Sequence, residues 1–151
     1  MISIVKIELP APGFDELRAE ARAEGFAFIE SLAEEWESGA NRFQGAGEVL
    51  AGHIDAGKLV AVGGLNRDPF QFDAVVGRLR RIYVRREWRG RGIGEALVKA
   101  LLAQAGKSFT RVRLRAENPA AARLYERFGF EPICDPSATH ILPLGAAGAS
   151  K

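Results

Sequence analysis

The residues best suited to chemistry form a glycine-rich turn between a strand and a helix. Residues 77–84 have the apolar and aromatic content of a strand, and residues 93–105 place their apolar side chains on one helical stripe. The turn Arg89-Gly90-Arg91-Gly92-Ile93-Gly94 joins the two. The first N–H groups of a helix lack partners within the helix and lie at the positive end of its dipole. The turn is therefore predicted to bind an anion such as a phosphate.

Two common phosphate loops do not fit this turn. The sequence contains no G-x-x-x-x-G-K-[ST] string, which the Walker loop requires. Gly90, Gly92 and Gly94 alternate, but Glu95 stands where the dinucleotide fingerprint has its third glycine. Residues 109–114 also lack the acidic side chain that this fingerprint places about 20 residues farther on. What remains is an arginine followed by Gly-x-Gly at the start of a helix.

This turn resembles the [Gln/Arg]-x-x-Gly-x-[Gly/Ala] pyrophosphate loop of the GNAT superfamily of acyl-CoA N-acyltransferases. Arg89, Gly92 and Gly94 occupy its defining positions. The resemblance implies that acetyl-CoA is the cofactor and that the turn holds its pyrophosphate.

Two further motifs extend the resemblance over residues 77–130. Val84 and Trp88 match the Val-x-Pro-x-aromatic-Arg pattern that precedes the family's glycines, with Arg86 in place of the proline. Residues 118–130, NPAAARLYERFGF, are similar to the family's Asn…Ala…Tyr-Glu-x-x-Gly-Phe segment. Both motifs stand in the order that the family shows.

The periodicity of the whole chain predicts the order β-α-(α)-β-β-β-α-β-α-β-β. The fold that the resemblance implies is α/β (an α+β mixed sheet) of about seven strands, mostly antiparallel with a parallel central pair, flanked by three to four helices. In that fold the fourth and fifth strands separate, and the pantetheine arm enters between them. We expect a single domain over residues 1–144 and a flexible tail over 145–151. The predicted strands are 2–8, 48–54, 58–65, 77–84, 111–115, 130–134 and 139–144.

Composition excludes several other classes of protein. The chain has 151 residues, 47% hydrophobic and 26% charged, which suits one soluble domain. Cys134 is the only cysteine, so no intramolecular disulfide can form, and no Cys/His cluster suggests a metal site. No apolar run approaches the ~18–20 residues of a membrane helix. Because the first residues also lack the features of a signal peptide, we expect a cytoplasmic protein that binds no membrane.

Charge is distributed unevenly along the sequence. Residues 1–76 hold 13 acidic and 6 basic side chains, whereas residues 77–151 hold 6 acidic and 15 basic ones. A basic half suits the polyanion coenzyme A, and an acidic half suits an amine. A nucleic-acid partner is not expected, because the other half is acidic and only Tyr83 and Trp88 could stack on bases. The oligomeric state stays open, with a homodimer as one option.

The resemblance assigns roles to two residues in particular. The N–H of Val84 would polarise the thioester carbonyl, and Tyr125 would act as the general acid that protonates the departing thiolate. The implied cofactor contacts are Ile82, Tyr83, Val84, Arg89, Gly90, Arg91, Gly92, Ile93, Gly94, Asn118, Ala121 and Tyr125.

The acceptor site and the general base are less defined. In the family, the region of residues 14–38 packs over the acceptor, and the loop after it is suited to specificity. The acceptor candidates are Trp36, Asn41, Arg42, Phe43 and Asn66. Family members often place a glutamate base on the fourth strand, but residues 78–84 contain no carboxylate. A water chain ending at Glu30, Glu34 or His53 remains open.

The predicted function is N-acetyl transfer from acetyl-CoA to a primary amine by direct nucleophilic attack. The acceptor is a small molecule or a protein amino group, which the sequence does not identify. A missing base favours an α-amino group, ~10% neutral at pH 7, over a lysine amine, ~0.04% neutral. The alternative is a catalytically weak acyl-CoA-binding or sensor protein of the same fold.

Overall fold

The computed structural model describes residues 1–145, so the predicted tail lies outside the described residues from 146 onward. None of the described helices is long and apolar enough to cross a membrane. The strands are β1 (Ile4–Lys6), β2 (Val49–Asp55), β3 (Lys58–Arg67), β4 (Val76–Val84), β5 (Arg111–Leu114), β6 (Glu131–Asp135) and β7 (Ala138–Pro143). The helices are α1 (Phe14–Ala23), α2 (Phe28–Ser38), α3 (Ile93–Ala105) and α4 (Pro119–Arg127), with a 3₁₀ turn over Arg86–Trp88.

The seven strands form one mixed sheet in the order β1-β2-β3-β4-β5-β7-β6. Every neighbouring pair is antiparallel except β4 and β5, which are parallel. The predicted fold class is thereby confirmed. The first strand is shorter than the predicted 2–8, because its pairing with β2 covers only Ile4–Lys6.

The parallel pair is joined over a short length only. Val76, Gly77 and Arg78 pair with residues 111–113, after which β4 continues to Val84 with no partner on that side. Arg81 has a left-handed φ of 63°, and the pairing of β3 with β4 shifts register opposite it. Such a bulge bends its strand. The two strands therefore separate, and an opening forms between them.

Helices cover both faces of the sheet. On one face, α1 and α2 bury residues such as Leu17, Ile29 and Leu32. On the other, α3 and α4 bury residues such as Leu97 and Leu101, which lie on the predicted stripe. These two groups of buried residues hold β4 between packed layers.

Candidate active site

A cleft of about 460 Å³ opens where β4 and β5 separate. The end of β4, the glycine turn and the first turns of α4 form its sides. Of the predicted cofactor contacts, the cleft is lined by Ile82, Tyr83, Val84, Arg89, Gly90, Gly94, Asn118, Ala121 and Tyr125. Arg91 and Gly92 lie on the exposed part of the turn, and the Ile93 side chain is buried in the core. The tertiary structure thus gathers segments that are far apart in the chain.

The glycine turn presents unused backbone donors. The first helical hydrogen bond of α3 runs from the N–H of Ala96 to the carbonyl of Gly92. Within residues 1–145, the N–H groups from Gly90 through Glu95 donate to no other backbone group outside regular helix or strand bonding. Gly90 and Gly92 have φ values of 78° and 85°, a region that glycine enters without strain. The turn therefore offers several converging donors to an anion.

Gly94 leaves space beside these donors. Its backbone is helical, and a Cβ added there would lie 3.8 Å from Leu124 and Val84, an ordinary contact. Packing within the protein therefore does not require a glycine here. Because Gly94 lines the cleft, the missing side chain keeps room for a bound group. Free donors and open space together fit a pyrophosphate.

Arg89 is held by the protein itself. Its Nη2 and Nη1 atoms lie 2.6 and 3.1 Å from the two carboxylate oxygens of Glu24, the C-cap residue of α1, and its Nε donates to the Val84 carbonyl at 2.8 Å. These hydrogen bonds, followed by smaller effects that include one from Tyr83, lower the pKa of Glu24 to about 2. Arg89, a predicted cofactor contact, lines the cleft, and this geometry uses its guanidinium to support the turn.

A second carboxylate of α1 binds the same region. Glu20 accepts hydrogen bonds from the Tyr83 hydroxyl at 2.6 Å, the Arg85 Nε at 3.1 Å and the Arg86 N–H at 2.8 Å. Arg85 and Arg86, which precede the glycine turn, are thus engaged with α1. The acidic helix is fixed over the end of β4.

The backbone direction of β4 decides where the Val84 amide points. The Arg85 N–H donates to the Val60 carbonyl at 2.9 Å, toward β3. Successive residues of a strand direct their polar groups to opposite edges. The Val84 N–H therefore lies on the edge that faces the cleft, where β5 provides no pairing.

Tyr125 lies at the inner end of the cleft. Its side chain is 8% exposed, and its hydroxyl makes no hydrogen bond within the described part of the chain. Burial, and then the charge of Glu117, raises the pKa of Tyr125 above its ordinary value. The phenol therefore stays protonated and available as a donor at any working pH.

A smaller cavity of about 240 Å³ lies next to the cleft. The two share the lining residues Phe28, Ile82, Glu117 and Tyr125, so they meet at the opening between the strands. Glu117 is the one carboxylate lining either cavity among residues 1–145. Glu117 was not among the site residues expected from the sequence, although it directly precedes Asn118 of the second motif.

The three base candidates left open by the sequence lie elsewhere. Glu30 is paired with Arg18 and Arg22, and these hydrogen bonds lower the pKa of Glu30 to about 2. His53 has its Nδ1 3.0 Å from the Ser3 carbonyl oxygen, beside β1. Neither residue lines the cleft or the smaller cavity, and neither does the exposed Glu34.

The acceptor candidates fall into two groups. Trp36 and Phe43 are 9% and 1% exposed and pack in the core, because the apolar stripe of α2 and the loop after it face the sheet. They line none of the cavities and drop out of the proposed acceptor site. Asn41, Arg42 and Asn66 instead line a polar groove of about 830 Å³, which shares Arg80 with the smaller cavity.

Asn118 caps α4, as its position before Pro119 predicts. Its Oδ1 accepts from the Ala121 N–H at 2.9 Å, the bond expected of an N-cap. This bond orients the first turn of α4, so that both residues line the cleft.

We expect Glu24→Gln to lower the melting temperature at pH 7 by about 2–8 °C, because glutamine cannot form the ion pair with Arg89. The pKa of Glu24 is about 2 in the fold and 4.5 in its ordinary state. The stabilisation is therefore complete above pH 4.5 and disappears as the pH falls toward 2. Thermal unfolding from pH 7 to pH 2 should show the difference between the two proteins narrowing.

Glu16→Gln is the matched control, because it loses only the exposed pair with Lys58. A Glu24→Gln protein as stable as wild type at pH 7, or a difference that does not change with pH, would contradict this account.

The sequence matches the family model described as the Acetyltransferase (GNAT) family over residues 12–130. A candidate acetyltransferase from Exiguobacterium sp. 255-15 has a TM-score of 0.85 at 26% identity, covering 95% of this chain and 93% of that one. No functionally curated protein matches the sequence.

Two more distant structures share the fold. Phosphinothricin acetyltransferase from Sinorhizobium meliloti, in complex with AcCoA, has a TM-score of 0.71 at 17% identity over 99% of this chain and 92% of that one. Glucosamine-6-phosphate N-acetyltransferase from Arabidopsis thaliana has 0.66 at 20% identity over 92% and 97%. Since the family match spans β4, the glycine turn and α4, this chain belongs to the GNAT acetyltransferase family, which uses acetyl-CoA.

Proposed function

We propose that this protein transfers the acetyl group of acetyl-CoA to a primary amine by direct attack. The observation that carries this proposal is the cleft between β4 and β5. Unused N–H groups of the glycine turn lie along it, and Val84 and Tyr125 also line it. When bound, acetyl-CoA supplies an activated thioester carbonyl. The residues of the cleft bind and orient acetyl-CoA, and they accept and donate the protons of the reaction.

The turn from Gly90 to Glu95 binds the pyrophosphate through backbone donors. Hydrogen bonds to charged groups contribute about 1.5–3 kcal/mol each, so a few suffice for micromolar affinity after ordering costs. The Val84 N–H then donates to the carbonyl oxygen, on which negative charge develops.

The chemical step conserves protons. The amine nitrogen forms a bond to the carbonyl carbon, the carbon–sulfur bond breaks, and the electron pair leaves with sulfur. Glu117 takes a proton from the nitrogen directly or through water, and Tyr125 gives its hydroxyl proton to sulfur. Because both residues line both cavities, the proton held by Glu117 can return to Tyr125 through water.

The position of Glu117 supports its role as the base. It lies where the cleft meets the smaller cavity, so an amine entering from the smaller cavity would pass it on the way to the thioester. This carboxylate takes the place of a glutamate on β4, which this chain lacks. It also attracts an amine in its ammonium form, which releases one proton to the solvent before the neutral amine attacks.

A catalytically weak acyl-CoA sensor is the second candidate. The raised pKa of Tyr125 favours this candidate, because a thiolate whose thiol has a pKa near ~8.5 is a weak acceptor of a phenol proton. Such a protein would bind acetyl-CoA in the same cleft with little turnover.

We expect Gly94→Asp to weaken acetyl-CoA binding at least about 30-fold, since the side chain fills the cleft beside the turn and repels phosphate. Calorimetry should show this loss of affinity. ATP and NADPH serve as control nucleotides, and both should bind the wild-type protein poorly. Ala103→Asp is the control, because it adds the same charge at an exposed position of α3. Equal affinity in the two variants would mean that the turn does not hold the phosphates.

Tyr125→Phe is expected to reduce kcat by about 10²–10⁴-fold and to leave the Kd of acetyl-CoA unchanged. The variant loses only a hydroxyl that has no partner among residues 1–145, so its stability should be close to wild type. Thiol release over an amine panel measures kcat, and calorimetry measures Kd. Turnover as fast as wild type would remove the acid role and favour the sensor.

Glu117→Gln should lower kcat/KM at pH 7 by about 10²-fold, as expected for loss of a general base. The loss should shrink as the pH rises toward the pKa of the acceptor amine, because a neutral amine needs no base before attack. Glu131→Gln, an exposed residue of β6 outside all three cavities, is the control. A loss that does not vary with pH would assign Glu117 a purely structural role.

A further inference from the structure

Arginines dominate the smaller cavity on the acceptor side of the cleft. Arg78, Arg80, Arg81 and Arg115 line it beside a single carboxylate, Glu117. Such a cavity favours a ligand with negative charge, and the pairing of each arginine decides which of them is free to bind it.

Two of these arginines are paired with carboxylates, and the exposed Arg115 donates from Nη2 to the Pro136 carbonyl at 2.5 Å. Arg78 has its Nη1 3.4 Å from Asp68 Oδ2 and donates from Nη2 to the Ser137 carbonyl at 2.6 Å. Arg81 lies 3.0 Å from a carboxylate oxygen of Glu35. Both side chains therefore have their charge compensated within the fold.

Arg80 is half-buried and has no such partner. Within residues 1–145 its guanidinium forms neither a hydrogen bond nor an ion pair. The nearby acids are Glu35, which pairs with Arg81, and Asp68, which Arg78 and Arg113 share. Burial, followed by the charge of Arg81, lowers the pKa of Arg80 to about 10, so the group is still charged at neutral pH.

An unpaired, partly desolvated cation is costly for a fold to keep. An anionic ligand that binds Arg80 would remove this cost and gain charge-assisted hydrogen bonds. The planar guanidinium fork suits carboxylates and phosphates, which both accept two parallel hydrogen bonds.

The polar groove next to this cavity adds unused hydrogen-bonding groups. Arg80 lines both spaces, so a ligand bound there could extend into the groove. The Asn41 Nδ2 and the Asn66 Oδ1 are buried atoms without a partner in the described residues, and both side chains line the groove. They offer one donor and one acceptor for the remainder of the ligand.

We propose that the acceptor is a small primary amine that also carries a carboxylate or phosphate, which Arg80 binds while the amine lies at Glu117. This inference rests on the proposed acetyl transfer and names its substrate class. Polyamines are disfavoured, because a second ammonium would lie among the arginines.

The test uses matched amines that differ in the anionic group. O-phosphoethanolamine is compared with ethanolamine, and alanine and phenylalanine are compared with their α-amides. Acetylation is followed by thiol release, and binding is measured by calorimetry on protein saturated with coenzyme A. We expect the member that carries the anionic group to bind in at least one pair, and to have a kcat/KM at least about 10-fold higher than the member without that group. A comparison of the phosphate pair with the carboxylate pairs shows which of the two anionic groups the protein prefers.

Variants of Arg80 connect this preference to one side chain. Arg80→Gln should raise KM for the anionic amine about 10–100-fold. The kcat, the affinity for acetyl-CoA and the KM of the amine without the anionic group should change little. Arg80→Lys keeps the charge and should recover part of the loss. Arg111→Gln, which removes an exposed pair with Asp73 at the joined end of β4 and β5, should behave as wild type.

Acetyl-CoA binding and the preference for an anionic acceptor can be disproved separately. If acetyl-CoA does not bind the wild-type protein, the proposed function is wrong. If acetyl-CoA binds but no anionic amine binds the coenzyme A-loaded protein, the inference about the acceptor is wrong. The same holds if neutral amines react as well as anionic ones, or if Arg80→Gln leaves the preference unchanged.

Discussion

The limited pairing between β4 and β5 is the constraint on which the site depends. Only Val76, Gly77 and Arg78 pair with the neighbouring strand, and the rest of β4 keeps one edge free. A fully paired sheet would use the Val84 N–H in a ladder and close the cleft. The bulge at Arg81 bends β4 at this point. This irregularity therefore creates both the space and the free N–H on which the proposed acyl transfer depends.

Ion pairs between α1 and the segment after β4 maintain this open arrangement. Glu20 and Glu24 engage Tyr83, Arg85, Arg86 and Arg89, so most of the local positive charge is compensated inside the protein. The anion is then left to the backbone donors of the turn, whose geometry is fixed by the helix that follows. Arg80 differs from the nearby Arg78, Arg81 and Arg113, because each of those three is paired with a carboxylate.

The proposed chemistry places an acid and a base at one junction. Tyr125 and Glu117 line both the cofactor cleft and the acceptor cavity, although they belong to α4 and to the loop before it. The negative charge of Glu117 also helps to keep the phenol protonated. A carboxylate after β5 thus accounts for a chain with no carboxylate on β4. In the proposed acceptor site, Arg80 selects the anionic amine on the far side of the same junction.

Through its resemblance to the GNAT superfamily the sequence indicated the acetyl-CoA cofactor, and by itself it determined the order of the elements, the glycine turn and the N-cap at Asn118. These features depend on periodicity, on φ preferences and on motifs that span few residues, so local chemistry is sufficient to predict them. Only the tertiary structure decided which charged side chains are paired. Glu24 meets Arg89 across 65 positions of the chain. Burial of Trp36 and Phe43, the location of Glu117 and the isolation of Arg80 likewise follow from long-range packing, because neighbours in sequence do not determine neighbours in space.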